Sequence, residues 1–191
     1  MERVPSRDEC LDLLVAAGCS ESVIAHTIVV CELALDIAES INKKNPHLVC
    51  IPYIEAGALL HDIGRAACHS VHHACAGAAI CRSHAIDENV CAIVLNHIGA
   101  GIPASEAASL GLPVTDYIPV TLEEKVVANA DNLVAGTKII TIEKRIKIAK
   151  QNELHPSAIK RIKKLYTEIE QLCDATYKPK KERKKRKIKK K

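Results

Sequence analysis

In Leu59-Leu60-His61-Asp62-Ile63-Gly64-Arg65 a histidine stands directly beside an aspartate at the end of an apolar stretch. A neutral imidazole nitrogen and a carboxylate oxygen together suit a divalent ion such as Mn, Fe, Co, Ni or Zn. Neighbouring residues on a regular helix point about 100° apart, so the pair can share one ligand only at a helix end or on a distorted turn. Gly64 is the kind of residue that ends a helix and lets the chain turn there. Taken alone, such a dipeptide is more often a packed core histidine beside a capping aspartate. The surroundings decide.

Two further side chains point the same way. His26 shares a helical face with Val30, Leu33 and Ile37, and Asp131 shares one with Val127 and Val134, so both face inward. A single inward histidine is more often a hydrogen-bonded core residue than a ligand. An inward aspartate is harder to set aside, because an unpaired buried carboxylate is costly and finds a cation or a metal. His69 lies eight residues after His61 and four before His73. If 69–73 is helical both rings face one way; if His69 lies in a loop it can touch a substrate instead. His72 is expected to face solvent, and His47, His84 and His155 read as structural.

The elements that must position these groups read as helices. Ser6-x-x-Glu9 is a capping box, with Gly18 as the stop; Ser20 opens a second helix to about Lys43. Pro52 suits the first turn of a third helix that runs into His61-Asp62. A short loop, Gly64 to Ser70, leads to a fourth helix near His73–His84, and Asp87 caps a fifth from Glu88 to about His97. Residues 99–119 are broken by Gly and Pro, with room for one short helix at Ser105–Leu110. Thr121-x-x-Glu124 opens a helix to about Ala135, and two charged amphipathic helices follow at Thr141–Gln151 and Pro156–Cys173. No period-2 alternation is long enough to call a strand, and there is no internal repeat. The fold class is all-α.

Composition agrees. The 191 residues are 48% hydrophobic but only 2% aromatic, with no Phe and no Trp, so the core must be built of Ala, Ile, Leu, Val and Cys. Lys178 to Lys191 holds 11 Lys/Arg against Glu182 alone, a net charge of +10, and residues 1–177 carry net −6. The body is mildly acidic and the tail is a polycation, expected to be disordered. Nine cysteines occur without a Cys-x-x-Cys pair, without an apolar leader and without an apolar run of transmembrane length. Cys31, Cys75, Cys81 and Cys91 sit in helix-like apolar contexts, so reduced, buried thiols and a cytoplasmic location are expected, with no membrane contact.

The order His26, His61-Asp62, Asp131 resembles the H…HD…D signature of the HD superfamily of metal-dependent phosphohydrolases. Leu60-His61-Asp62-Ile63-Gly64-Arg65 resembles the HDIG variant, with Arg where Lys is common. His73-Ala74-Cys75-Ala76-Gly77-Ala78 and Asn96-His97-Ile98-Gly99 resemble the further histidine elements of the HDIG and HD-GYP branches. Residues 122–138 are similar to the last element of bacterial HD-type diadenosine tetraphosphatases, and 20–140 as a whole looks most like a small archaeal HDIG family. The resemblance implies a first metal on His26, His61, Asp62 and Asp131, with Asp62 bridging to a second completed by His73 and His97. One or two divalent ions, Fe, Mn, Co or Ni, would activate a water against phosphorus, with Asp62 and His61 central to catalysis. Arg65, His69 and Lys138 are candidates for contacting the phosphate of a nucleotide or related substrate.

Four segments are therefore expected: an N-terminal helix (1–19), an HD metal-binding domain (20–140), C-terminal helices packed on it (141–177) and the polybasic tail (178–191). The expected function is hydrolysis of a small phosphoester. The alternative keeps the metal site in a regulatory protein that binds RNA, ribosomes or a partner through the tail.

Overall fold

The computed structural model describes residues 2–175 and 177, so the polybasic tail lies outside the described residues. The chain runs α1 (Arg7–Ala16), α2 (Glu21–Lys44), α3 (Ile51–Leu60), a 3₁₀ turn (Ile63–Ala66), α4 (His73–Ser83), α5 (Glu88–Asn96) and the short α6 (Ala104–Ala107), continued as a 3₁₀ turn (Ala108–Leu110). After these come α7 (Leu122–Asn132), a hairpin of β1 (Val134–Ala135) and β2 (Lys138–Ile139), α8 (Ile142–Gln151) and α9 (Pro156–Leu172). The fold is all-α, with that hairpin as its one small sheet among the described residues.

The expected caps form. Ser6 and Glu9 close a capping box on α1, Thr121 and Glu124 close one on α7, and Ser20, Asp87 and Thr141 each accept a backbone N–H at the start of α2, α5 and α8. α3 is the hub: it packs along α2 on one side and α5 on the other, and touches α1 and α7. Its Gly57 allows the approach to α5, because a Cβ there would stand 2.6 Å from the Ile93 side chain. The core around it is Ile, Leu, Val, Ala and Cys, as a chain without Phe or Trp requires. All nine cysteines are free thiols. Burial pushes the thiols of Cys10, Cys31 and Cys81 up to about 12, which makes them inert packing groups. Cys75 is half-buried rather than core. Among the described residues no helix is long and apolar enough to cross a membrane.

Two details differ from the sequence reading. α7 stops at Asn132, not Ala135, and the chain turns at Gly136 (φ +60°) into the hairpin, where Val134 pairs with Ile139 and Ala135 with Lys138. Strands of two residues are too short to show alternation. Gly64, for its part, is needed for room rather than for a left-handed turn. A Cβ there would lie 1.9 Å from the His73 carbonyl oxygen and 2.5 Å from the Gly77 nitrogen, so Gly64 lets the 3₁₀ turn press against α4.

Candidate metal centre

The helix-end geometry lets His61 and Asp62 converge. His61 closes α3 with helical angles, while Asp62 departs from them (φ −101°, ψ 10°), so its carboxylate swings to the same side as the imidazole. Around this pair the fold gathers His26 from α2, His73 from the first position of α4, His97 from the end of α5 and Asp131 from the last turn of α7. His61, Asp62, His73 and His97 are buried, whereas His26 and Asp131 keep partial access to solvent.

Each histidine is tethered by the nitrogen facing away from the centre. Nδ1 of His61 lies 2.8 Å from the Ala58 carbonyl, that of His73 2.7 Å from Ser70, that of His97 2.7 Å from Val94, and that of His26 2.8 Å from Gly136. A carbonyl oxygen can only accept, so every Nδ1 carries a proton and donates it. Three of the four acceptors lie three residues upstream, and those of His61 and His97 are carbonyls at helix C-termini, which the helix itself leaves unused.

In the neutral ring Nε2 is then a bare lone pair, and all four point inward. Nε2 of His73 and His97 are 3.1 Å apart. Nε2 of His61 has no hydrogen-bond partner and lies 3.7 Å from Oδ2 of Asp62 and from Oδ1 of Asp131. Nε2 of His26 is 3.1 Å from Asp131 Oδ1. Asp62 Oδ1, also buried without a well-directed hydrogen bond, is 3.1 Å from His73 Nε2 and 3.6 Å from His97 Nε2. Burial drives the His61 pKa down to about 4, which keeps this ring neutral. At His26 and His97 burial acts in the same direction, but Asp131 and Asp62 outweigh it and raise both values.

The centre is a knot of acceptors that repel one another unless protons or a cation stand between them. A metal fits this arrangement. Ligand atoms of His26, His61 and Asp62, of His61, His97 and Asp131, and of Asp62, His73 and His97 lie within 4.8 Å of one another in each trio. Donors held about 2.0–2.2 Å from one ion are separated by roughly 3 to 4.4 Å. Asp62 faces both ways: Oδ1 toward His73 and His97, Oδ2 toward His26 and His61.

Of the three expected substrate contacts, Arg65 alone touches the cluster. Its Nε donates to Asp62 Oδ2 at 2.6 Å, and its two terminal nitrogens have no protein partner among the described residues. His69 is exposed in the loop before α4, and Lys138 is exposed on β2, two residues beyond the Gly136 carbonyl that tethers His26. His72 is exposed as expected, though its Nε2 lies 3.1 Å from the Gly111 carbonyl.

The sequence reading missed the polar supports behind the cluster. Asn132, next to Asp131, donates to the Gly99 carbonyl at 2.5 Å and to Ala128 at 2.9 Å, and accepts from Arg145 Nε of α8 at 3.1 Å. Asn96, next to His97, donates to the buried Glu124 at 2.8 Å. Both asparagines adjoin cluster residues, which is the signal that could have singled them out.

The family model for the HD domain matches residues 23–136. An uncharacterized protein of Methanocaldococcus jannaschii is 46% identical over 156 residues, covering 81% of this chain and 91% of that protein. Proteins named tRNA (cytidine(56)-2'-O)-methyltransferase are 41% identical over 174 residues in Picrophilus torridus and 44% over 163 in Thermoplasma volcanium, with 89% and 85% of this chain covered. Those matches cover 48% and 46% of the two methyltransferases, so the chain spans about half their length. Among solved structures, the HD domain of the L. monocytogenes phosphodiesterase PgpH in complex with cyclic-di-AMP superposes with a TM-score of 0.51 at 16% identity, over 85% of this chain and 94% of that one. That likeness bears on the fold. With the family model spanning more than half of its length and a near-full-length archaeal relative, the chain belongs to the HD domain family.

Proposed function

We propose that this protein is a metal-dependent phosphohydrolase acting on a nucleotide or related phosphoester. The observation that carries the reading is the convergence of four histidine Nε2 lone pairs and two carboxylates, with each histidine tautomer set by a backbone carbonyl. His26, His61, Asp62 and Asp131 would hold one ion and His73 and His97, with the other Asp62 oxygen, a second. Imidazoles mixed with hard oxygens favour Fe, Mn, Co or Ni. Such ions supply an acidified water and neutralise charge on the phosphoryl oxygens.

The chain's own residues do the rest. Asp62 spans the two halves of the centre and is oriented by Arg65. The free terminal nitrogens of Arg65 offer a forked donor to a phosphate beside it. The carbonyl tethers hold the rings in the orientation that presents Nε2, so little reorganisation accompanies metal binding. His69 and Lys138 are proposed to meet the substrate's outer part. We assign residues 20–140 as the metal-binding domain and 141–177 as helices supporting it.

A second reading, an RNA-associated protein that retains the site, draws on the two relatives named as tRNA methyltransferases. It makes nucleotides derived from RNA the first substrates to try. The test is metal content by mass spectrometry together with phosphate release from nucleoside monophosphates, dinucleotides and cyclic dinucleotides, each repeated for Asp62→Ala. The reading expects about one to two transition metals per chain and turnover that disappears in the variant. Metal-free protein with no turnover on any substrate after reconstitution would reject it.

A further inference from the structure

The C-terminal helices carry a charge that the metal centre does not use. Residues 1–140 hold eight Lys/Arg and seventeen Asp/Glu, whereas residues 141–177 hold eight Lys/Arg and five Asp/Glu. Lys147 and Lys150 on α8 and Lys160, Lys163 and Lys164 on α9 are all exposed, and among the described residues none makes an ion pair or a side-chain hydrogen bond. Arg145 and Arg161, on the same two helices, are by contrast engaged with Asn132 and Glu106.

These free lysines are contiguous. Three shallow depressions share walls across the two helices: the first is bordered by Lys147 and Lys150, the second joins it through Ile146 and reaches Lys163, and the third continues through Lys163 and Thr167 to Lys160 and Lys164. The result is one trough that follows the α8–α9 seam and continues along α9 toward Lys125 of α7; five free lysines edge it, against Glu143 in the first two depressions and Glu168, already ion-paired with Lys125, in the third. It sits at the end of the chain that leads into the eleven cations of residues 178–191.

We propose that this trough is a binding surface for the phosphate backbone of structured RNA. Five unpaired ammonium groups in a row match a polyanion of regularly spaced phosphates, and each contact releases condensed counterions. Thr167 and Gln171 add neutral donors for phosphate or ribose oxygens. Among the described residues no aromatic other than the half-buried Tyr166 lines the trough, so the surface reads backbone shape and not base identity.

Two other polyanionic or acidic partners fit less well. A membrane-surface helix inserts its apolar face, but here Ile146, Ile162, Leu165 and Ile169 are buried against the protein. A protein partner seats an apolar or aromatic anchor at the centre of its interface, and among the described residues no exposed large hydrophobic lines the trough. The inference does not rest on the phosphohydrolase reading, and a binding assay separates the two.

The test uses the full chain and a fluorescently labelled RNA hairpin, titrated across about 50–200 mM salt. Lys160→Gln, Lys163→Gln and Lys164→Gln combined should weaken binding about tenfold or more and lower the log–log salt slope by about two to three. Lys147→Gln with Lys150→Gln should act in the same direction to a smaller extent, and the triple Lys→Arg variant should bind like the parent. Phosphoester turnover should stay within about twofold in all of them, since none of these residues belongs to the metal centre. A triple Gln variant that binds the hairpin with parental affinity and slope would overturn the proposal. So would tighter binding to phosphatidylserine vesicles than to RNA, lost in the same variant.

Discussion

The two ends of this molecule use charge in opposite ways. At the candidate metal centre, acceptors from α2, the end of α3, α4, α5 and α7 gather within a few ångströms of one another, most of them buried, and the imidazole protons are tied outward to backbone carbonyls. On α8 and α9 five lysines are exposed and, among the described residues, without an ion pair, while the apolar side of each helix is fixed against the body. The difference teaches where the binding energy should come from. A buried cluster of acceptors concentrates affinity on one small cation and loses nearly everything when one ligand goes. A row of exposed lysines spreads affinity over many weak, salt-screened contacts and loses it in steps.

The largest expected effect breaks the first half of that comparison. Asp62→Ala removes the carboxylate that faces both halves of the cluster and should cut turnover at least about a hundredfold and lower bound metal, with helical content unchanged by circular dichroism. His73→Ala or His97→Ala should be milder on metal content, leaving about one ion where the parent holds two, as read by elemental analysis. If both variants keep the parental stoichiometry, Asp62 does not bridge and these rings serve another purpose.

Gly64→Ala tests packing instead of ligation. Its methyl group would press on the His73 carbonyl and the Gly77 nitrogen, so the 3₁₀ turn and α4 must part. The expected cost is about 1–3 kcal/mol in denaturant unfolding, with weakened metal binding as a consequence of moving His73 from Asp62. Smaller again is Asn132→Ala, which frees the Gly99 carbonyl and Arg145 and should cost about 1–2 kcal/mol. Smallest on turnover is deletion of residues 178–191, which should leave small-phosphoester turnover within about twofold while removing most salt-sensitive RNA binding.

Much of this was legible in the residues. Capping boxes at Ser6–Glu9 and Thr121–Glu124 act within one turn of chain, so their helix starts could be read locally. The helical period placed His26 and Asp131 on inward faces, and the fold brings them to 3.1 Å of one another across 105 residues. What the chain does not spell out is the consequence of helix ends meeting. The outward tethering of His61 and His97 depends on C-terminal carbonyls that only a finished helix exposes, and the role of Gly64 depends on α4 arriving against it. The hairpin at Val134–Ile139 is set by a turn at Gly136, with strands too short to leave a pattern. Arg145 and Asn132 meet through tertiary packing that no spacing rule foretells.

The account turns on whether the inward lone pairs hold metal, and anomalous X-ray diffraction from crystals of protein grown with manganese tests it most directly. The prediction is one or two anomalous peaks about 2.0–2.3 Å from Nε2 of His26, His61, His73 or His97 and from the Asp62 carboxylate, with every Nδ1 still on its carbonyl. No peak in the cluster, with manganese bound only at surface carboxylates, would contradict the assignment of this centre.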